Sequence, residues 1–224
     1  PDETPRARLP TMLDDAWPLF GLTIETPRLR LRLPRDKEIA DLSRVAAEGV
    51  HEAHERPFLT PWTDGSPEDR GRFVLQQHWS ELGSWDAQGW RLGLGIFCAD
   101  QPLGVVTLRA RNFPVVREVT TSSWIGLPHH GRGFGTEARA GLLALAFEHL
   151  GAEAAVTEVF QDNHASQGVS RKLGYEHDGV SRDARGDEVL VSDRLRLTRS
   201  TWMSRACSPV TIVGFEKSRS MFGL

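Results

Sequence analysis

The sequence predicts an α/β layer fold built on a mixed sheet, and three observations lead there. Residues 89–110, GWRLGLGIFCADQPLGVVTLRA, are two β-rich runs joined by an Asp-Gln-Pro cluster of the kind that forms turns. A second β-rich run passes through three alternating glycines, Gly131, Gly133 and Gly135, straight into the helical pattern TEARAGLLALAFEHL. A strand-then-helix step recurs over residues 154–173. Hairpins make antiparallel pairs and strand–helix–strand steps make parallel ones, so one sheet must hold both.

Composition bounds the rest. A chain of 224 residues, 39% of them hydrophobic, fits one large domain with a real core. The net charge is −3 and no basic stretch interleaves with aromatics, which excludes nucleic-acid binding as the main role. Only Cys98 and Cys207 are present, far apart, which argues against a disulfide framework and a cysteine zinc site and points to a reducing cytoplasm. Residues 1–20 contain no apolar leader, and no later run approaches the roughly eighteen apolar residues of a membrane span. A soluble cytoplasmic protein with no membrane partner is expected.

Taken in order, residues 1–20 are proline-rich and charged and read as an arm that Trp17, Leu19 and Phe20 can pin to the body. From Leu22, LTIETPRLRLRLP places Leu29, Leu31 and Leu33 on one face and Arg28, Arg30 and Arg32 on the other, the pattern of one half-buried strand ended by Pro34. A helix over residues 36–49 follows, with Ile39, Leu42, Val45 and Ala46 at helical spacing and a glycine stop. Between Glu48 and Asp69 lie six carboxylates against the single base Arg56, with His51, His54, Phe58 and Trp62 among them. That stretch reads either as a solvated loop capping the next helix or as a wall attracting a cationic amine.

Residues 69–82 form the expected second helix, then the hairpin of 89–110, then a strand over 115–127 that delivers the chain to the glycines. The helix after them has Leu142, Leu143, Leu145, Phe147 and Leu150 on several sides, so it is buried against a sheet until Gly151 closes it. Residues 154–160 are a strand, Asn163 caps a short helix bearing Ala165, Val169 and Leu173, and Gly174 terminates it. Residues 189–197 are a further strand, and PVTIVGF in the tail can add one more. The expected organisation is an arm at 1–20, one domain at 21–206 and a tail at 207–224.

Glycines permit positive φ and close approach to backbone N–H groups, and the unpaired amides of a helix start attract anions. The strand–glycine loop–helix at Gly131–Thr136 therefore suits a phosphate. It lacks the Gly-Lys-Ser/Thr ending of a Walker loop, and its GxGxG is tighter by one than the dinucleotide GxGxxG. The hexapeptide His130-Gly131-Arg132-Gly133-Phe134-Gly135 resembles instead the (Gln/Arg)-x-x-Gly-x-(Gly/Ala) loop of the GNAT superfamily of acyl-CoA-dependent N-acyltransferases, with His130 departing from the usual first residue. About thirty residues on, QDNHASQGVSRKLGYEHDG resembles the second signature of that superfamily, Asn-x-x-(Ser/Ala) with a Leu-Gly-(Phe/Tyr) ending. WIG and GTEA around the loop most resemble its Rim-type branch, which acetylates ribosomal-protein N-termini and includes antibiotic and small-amine acyltransferases. The resemblance spans roughly residues 22–202 and implies a mostly antiparallel sheet splayed at its centre with helices on both faces.

It also implies roles. Acetyl-CoA, or succinyl-CoA as a variant, would lay its pyrophosphate on the backbone of Gly131, Arg132, Gly133, Phe134, Gly135 and Thr136, with His130 at the loop's head. Its pantetheine would pair with the strand end Trp124, Ile125, Gly126 and Leu127. Asn163 resembles the asparagine that bonds the pantetheine and is equally a helix cap. Ser166 stands where relatives have a serine near the sulfur, and Ser170, four residues on, where many have a tyrosine acid. Tyr175 falls at the Leu-Gly-(Phe/Tyr) position and reads as packing. For the base, Thr120 occupies the site expected for a carboxylate, so Glu118, two residues earlier on the same strand face, is the candidate, with His54 as alternative. Adjacent His129 and His130 diverge along an extended backbone, and no metal is expected.

The leading expectation is an enzyme, an N-acyltransferase moving an acetyl or succinyl group by direct attack of a primary amine in a ternary complex. The acceptor is a small-molecule amine or a protein N-terminal amine, and a homodimer is allowed. A non-catalytic acyl-CoA-binding module is the alternative, and a nucleotide-binding α/β domain a third reading disfavoured by the loop spacing.

Overall fold

The structure, a computed structural model, describes residues 12–205 and 208–224; Cys207 and the first part of the arm, residues 1–11, lie outside the described residues. Among the described residues nine strands form one open sheet in the order β7-β8-β6-β5-β4-β3-β2-β1-β9. They are β1 (Thr23–Glu25), β2 (Arg30–Arg32), β3 (Arg91–Cys98), β4 (Gln101–Ala110), β5 (Glu118–Ile125), β6 (Ala154–Phe160), β7 (Glu176–Arg185), β8 (Glu188–Thr198) and β9 (Thr211–Val213). The four long helices are α1 (Asp36–Glu48), α2 (Pro67–Gly83), α3 (Phe134–Ala144) and α4 (His164–Leu173).

Only β5 and β6 run parallel, and they pair over three residues alone: Glu118 with Ala154, Val119 with Ala155, Thr120 with Val156. Beyond them β5 stays paired to β4 as far as Ile125 opposite Gly104, and β6 stays paired to β8 as far as Phe160 opposite Ser192. Each strand follows its other neighbour, so the sheet opens into a V. The last tie across it is the Thr157 hydroxyl, which donates to the Thr121 carbonyl at 3.1 Å.

Helices cover both faces. On one, α3 and its π-helical continuation Leu145–His149 bury Ala138, Leu142, Leu143, Leu145 and Phe147, each large side chain contributing roughly 1.5–3 kcal/mol relative to exposure. On the other, α1 and α2 close over Phe97 with Ile39, Leu42, Ala46 and Val74. The segment before β1 folds as a short helix, Met12–Ala16, and a 3-10 turn, Pro18–Gly21; Leu19 is fully buried, and Trp17 and Phe20 pack on the core. The PVTIVGF segment supplies β9, antiparallel to β1. No helix among the described residues is long and apolar enough to cross a membrane.

Three local expectations need correction. Residues 22–34 are two antiparallel strands rather than one, because Thr26 closes a turn on Leu29 through both backbone and hydroxyl and Pro27 has no donor for a ladder. The strand expected from residue 115 begins at Glu118: Pro114 starts a helical turn, Phe113–Val116, that leaves Val115 and Val116 on the surface. Strand β7 is absent from the sequence reading, since its polar sequence EHDGVSRDAR shows no apolar alternation where it lies at the sheet edge.

Candidate active site

The open edge of β5 is the centre of the site. Strand residues alternate the direction of their backbone groups, and the Thr121 carbonyl faces β6. Ser123 and Ile125 therefore turn their N–H and C=O groups into the gap as well. His130 Nε2 lies 2.8 Å from the Ile125 carbonyl and, as the Nε2–H tautomer, donates to it. Gly126 and Leu127 were expected in this edge, but Gly126 N–H donates to Leu103 O at 2.8 Å and Leu127 N–H to Gly49 O at 3.0 Å. Trp124 turns its backbone to β4, opposite Val105. The free edge thus lies at both backbone groups of Ser123 and the N–H of Ile125, the Ile125 carbonyl being held by His130.

On the α3 face of the gap sits the glycine loop. Gly131 and Gly133 adopt φ of 73° and 80°, and Gly133 caps α3 with no side chain bonded to the helix start. The first i,i+4 bond is Glu137 N–H to Gly133 O, so the N–H groups of Phe134, Gly135 and Thr136 have no helical acceptor. A Cβ built on Gly131 or Gly135 meets nothing within 4 Å, which leaves an open cradle above these amides. Phe134 contributes only its backbone, because its ring is buried beneath the loop.

Two guanidinium groups flank this cradle, Arg28 at 4.7 Å and Arg132 at 4.9 Å from the Phe134 ring centroid. Arg132 was expected; Arg28, read as a solvent-facing strand residue, was not. Glu137 fixes it, accepting from Arg28 Nε at 2.6 Å, from its N–H at 2.8 Å and from the Thr26 hydroxyl at 2.7 Å. Burial pushes the Glu137 carboxyl up, but these hydrogen bonds and the Arg28 charge outweigh it and hold it below the usual range. Beside the cradle a groove of about 540 Å³ is lined by Arg28, Gly133, Thr136, Lys172, Trp202 and Arg205. Its basic residues suit a further phosphate.

The second motif divides its polar residues. Asn163 Oδ1 accepts from Ser166 N–H at 3.0 Å, so the asparagine is a helix cap. Ser166 is half-buried, and its hydroxyl has no partner among the described residues. Ser170 shares the helix but is fully buried, accepting from Arg139 Nη1 at 3.2 Å. Arg139 Nη2 donates to Ser123 Oγ at 3.3 Å, Nε has no partner among the described residues, and burial pushes this guanidinium down despite Tyr175 nearby. Tyr175 packs in the core with its hydroxyl 3.0 Å from that of Thr121; burial raises it against the influence of Arg139 and Thr121.

On the opposite face lies a cavity of about 340 Å³. Phe58, Trp62 and Phe73 form its apolar wall, Trp62 stacking on Phe73 at 5.1 Å between centroids and meeting Trp124 at 5.9 Å. Its polar lining includes Glu81, Arg91, Thr107, Arg109, Ser122 and Glu158. Glu81 was not expected. Its carboxylate accepts from Gln77 Nε2 at 2.8 Å and lies 3.9 Å from Arg91 Nε; burial, partly offset by these groups, pushes it up to about 7.

The two base candidates stand elsewhere. Glu118 lies where β5 and β6 are still paired and accepts from Arg196 Nη1 at 2.5 Å, outside the cavity lining. His54 is exposed on the loop after α1 and does not line the cavity. The acidic segment contributes aromatics rather than carboxylates to this wall: Asp69 pairs with Ser66 in the capping box of α2, and Glu55 accepts from Glu52 N–H. Among the described residues no cluster of three or more His, Cys, Asp or Glu is placed to hold a metal ion.

The sheet therefore has one gap reached from both faces, with an anion cradle on one and an aromatic cavity on the other. The profile of the acetyltransferase (GNAT) domain matches residues 28–176, and the chain belongs to that family. Among solved structures it is similar to a ribosomal α-N-protein acetyltransferase in complex with coenzyme A, at 16% identity and TM-score 0.61 over 79% of this chain and 97% of that one. It is similar also to a GCN5-related N-acetyltransferase from Brucella melitensis, at 19% identity and TM-score 0.63 over 81% and 80%. A candidate ribosomal-protein-serine acetyltransferase from Vibrio cholerae matches at 20% identity and TM-score 0.60 over 79% and 97%. These likenesses agree with the mixed, centrally splayed sheet expected from the two motifs.

Proposed function

We propose that the chain is an acyl-CoA-dependent N-acyltransferase in which a primary amine attacks the thioester directly within a ternary complex. The observation that supports this most is the β5–β6 gap, open to an anion cradle on one face and a cavity on the other. The pyrophosphate is received by the uncapped amides of Phe134, Gly135 and Thr136 beside Arg132 and Arg28, where the helix start supplies a positive field. The adenosine end with its 3′-phosphate lies in the groove of Lys172 and Arg205. The pantetheine amides pair with the Ser123–Ile125 edge, and a backbone N–H there polarises the thioester carbonyl.

The amine nitrogen bonds to the carbonyl carbon, the C–S bond breaks, and the thiolate takes up a proton while the nitrogen gives one up. Ser166, with its hydroxyl free at the first turn of α4, is the group that passes a proton to sulfur. Acetyl-CoA is the default donor and succinyl-CoA the variant. The acceptor is a small amine or a protein N-terminal amine, the latter in keeping with the ribosomal-protein acetyltransferases of similar fold. A cytoplasmic setting and a homodimer belong to the same reading.

One set of observations favours a non-catalytic acyl-CoA-binding module: Ser170 is bound to Arg139, and Glu118 to Arg196. Release of free CoA from acetyl-CoA with a panel of amines separates the two. Amine-dependent release supports the enzyme; tight CoA binding without release with any amine supports the module.

A further inference from the structure

The reaction just described needs a group to take the proton of an ammonium acceptor, and neither Glu118 nor His54 reaches the cavity. We propose that Glu81, on the cavity wall, is that proton acceptor, an assignment that rests on the acyltransferase reading.

The geometry is specific to this carboxylate. It projects from α2 onto the middle of β3, where a Cβ on Gly93 would stand 2.2 Å from Oε2; the glycine is what lets the carboxylate lie against the strand. Gln77 holds Oε1, and the residue is 9% exposed and lines the cavity. Along one rung of the sheet, Gly93 is paired with Thr107 and Thr107 with Ser122, at the lip of the gap. That rung spans two strand spacings, roughly 10 Å, too far for direct transfer and within reach of a short relay of water and hydroxyls. The hydroxyls of Thr107 and Ser122 both line the cavity and have no other partner among the described residues. The charged and titratable neighbours are His78 on α2, Arg91 on β3, Arg109 on β4, Glu158 on β6 and Asp183 on β7. With burial raising its affinity for a proton, Glu81 is matched to accepting one near neutral pH and returning it to solvent.

The protons balance. Glu81 takes one from the ammonium through the relay, and the free lone pair attacks the carbonyl carbon. The second proton leaves the nitrogen as the C–N bond is completed and reaches the thiolate, giving amide and free thiol; Glu81 then releases its proton to water.

The test is Glu81→Gln, close in shape to the native side chain, assayed with acceptor amines of graded basicity. An alkylamine of pKa about 10 arrives protonated, whereas one of pKa roughly 6 arrives neutral and needs no acceptor. With full CoA binding by calorimetry, kcat/KM for the basic amines should fall about 100-fold or more and that for the weakly basic ones by less than about threefold. Gly93→Ala, which pushes the carboxylate away, should reproduce the same selectivity. Equal loss for both classes, no loss for either, or the selective loss appearing in Glu158→Gln and not in Glu81→Gln would overturn the assignment. If the unaltered protein binds CoA but turns over no amine, the acyltransferase reading fails and this proposal goes with it.

Discussion

Arg139 directs its guanidinium at Ser170, Nη1 to Oγ 3.2 Å, in a site with no carboxylate paired to it among the described residues. The contact separates two serines that a helix wheel puts on one face. Ser170 is committed to a buried charge, and Ser166 is not. Ser170→Ala should leave an arginine donor unsatisfied and destabilise the protein by about 1–3 kcal/mol, read as a lower melting temperature. Ser166→Ala should leave melting unchanged and lower kcat by roughly 10- to 1000-fold with little change in donor KM. A rate loss confined to Ser170→Ala would reverse the assignment.

The same arginine gives a second prediction. A buried charge without a counter-ion carries a desolvation cost of roughly several kcal/mol that two serine acceptors offset only in part, and an apolar side chain of similar volume avoids that cost. Arg139→Met should therefore melt no lower than the unaltered protein. A clear drop would mean that its bonds to Ser123 and Ser170 outweigh the desolvation cost.

The glycines of the loop are not equivalent. Gly135 has an ordinary φ and open space where a Cβ would stand, so Gly135→Val should fold normally and lose CoA affinity by filling the cradle. Gly133 adopts φ of 80°, and Gly133→Val adds strain of roughly 1–2 kcal/mol to the same loss of binding. Calorimetry with CoA and thermal melts separate the two effects. Unchanged affinity in a folded Gly135→Val protein would remove the loop from the site.

What was legible in the chain follows the range of each signal. The glycine loop, Asn163 as a cap and Gly174 as a stop are local, and each lies where the residue types put it. Glu81, Arg28 and Arg139 are defined by partners far along the chain: Gly93 for the first, Glu137 for the second, Ser123 and Ser170 for the third. In sequence each resembles an ordinary charged residue of a helix or strand. One trace of Glu81 was available, since Gly93 in the apolar run RLGLGIFC marks a strand position where another group comes close. The base went to Glu118 because period-two alternation shows a strand face without showing where pairing ends. Glu118 shares that face but lies below the point at which β6 departs.

Glu81 also makes stability depend on pH. Its pKa is raised from 4.5 to about 7 in the folded protein, so between those values the native state binds the proton more tightly than the unfolded chain. Its contribution is greatest below about pH 4.5 and is lost as pH rises through 7, a change of about 3 kcal/mol. Denaturation of Glu81→Gln and the unaltered protein across this range should show the variant gaining relative stability as pH rises. A constant difference would mean that the carboxyl titrates normally.

The central claim is that donor and acceptor meet across the β5–β6 gap from opposite faces and react without an acyl-enzyme. Initial rates of CoA release, measured with acetyl-CoA varied at several fixed concentrations of an accepted amine, test it most directly. Intersecting double-reciprocal lines, with acetyl-CoA stable when amine is omitted, are the predicted result. Parallel lines, or an amine-independent burst of free CoA, would show an acyl-enzyme intermediate and contradict the account.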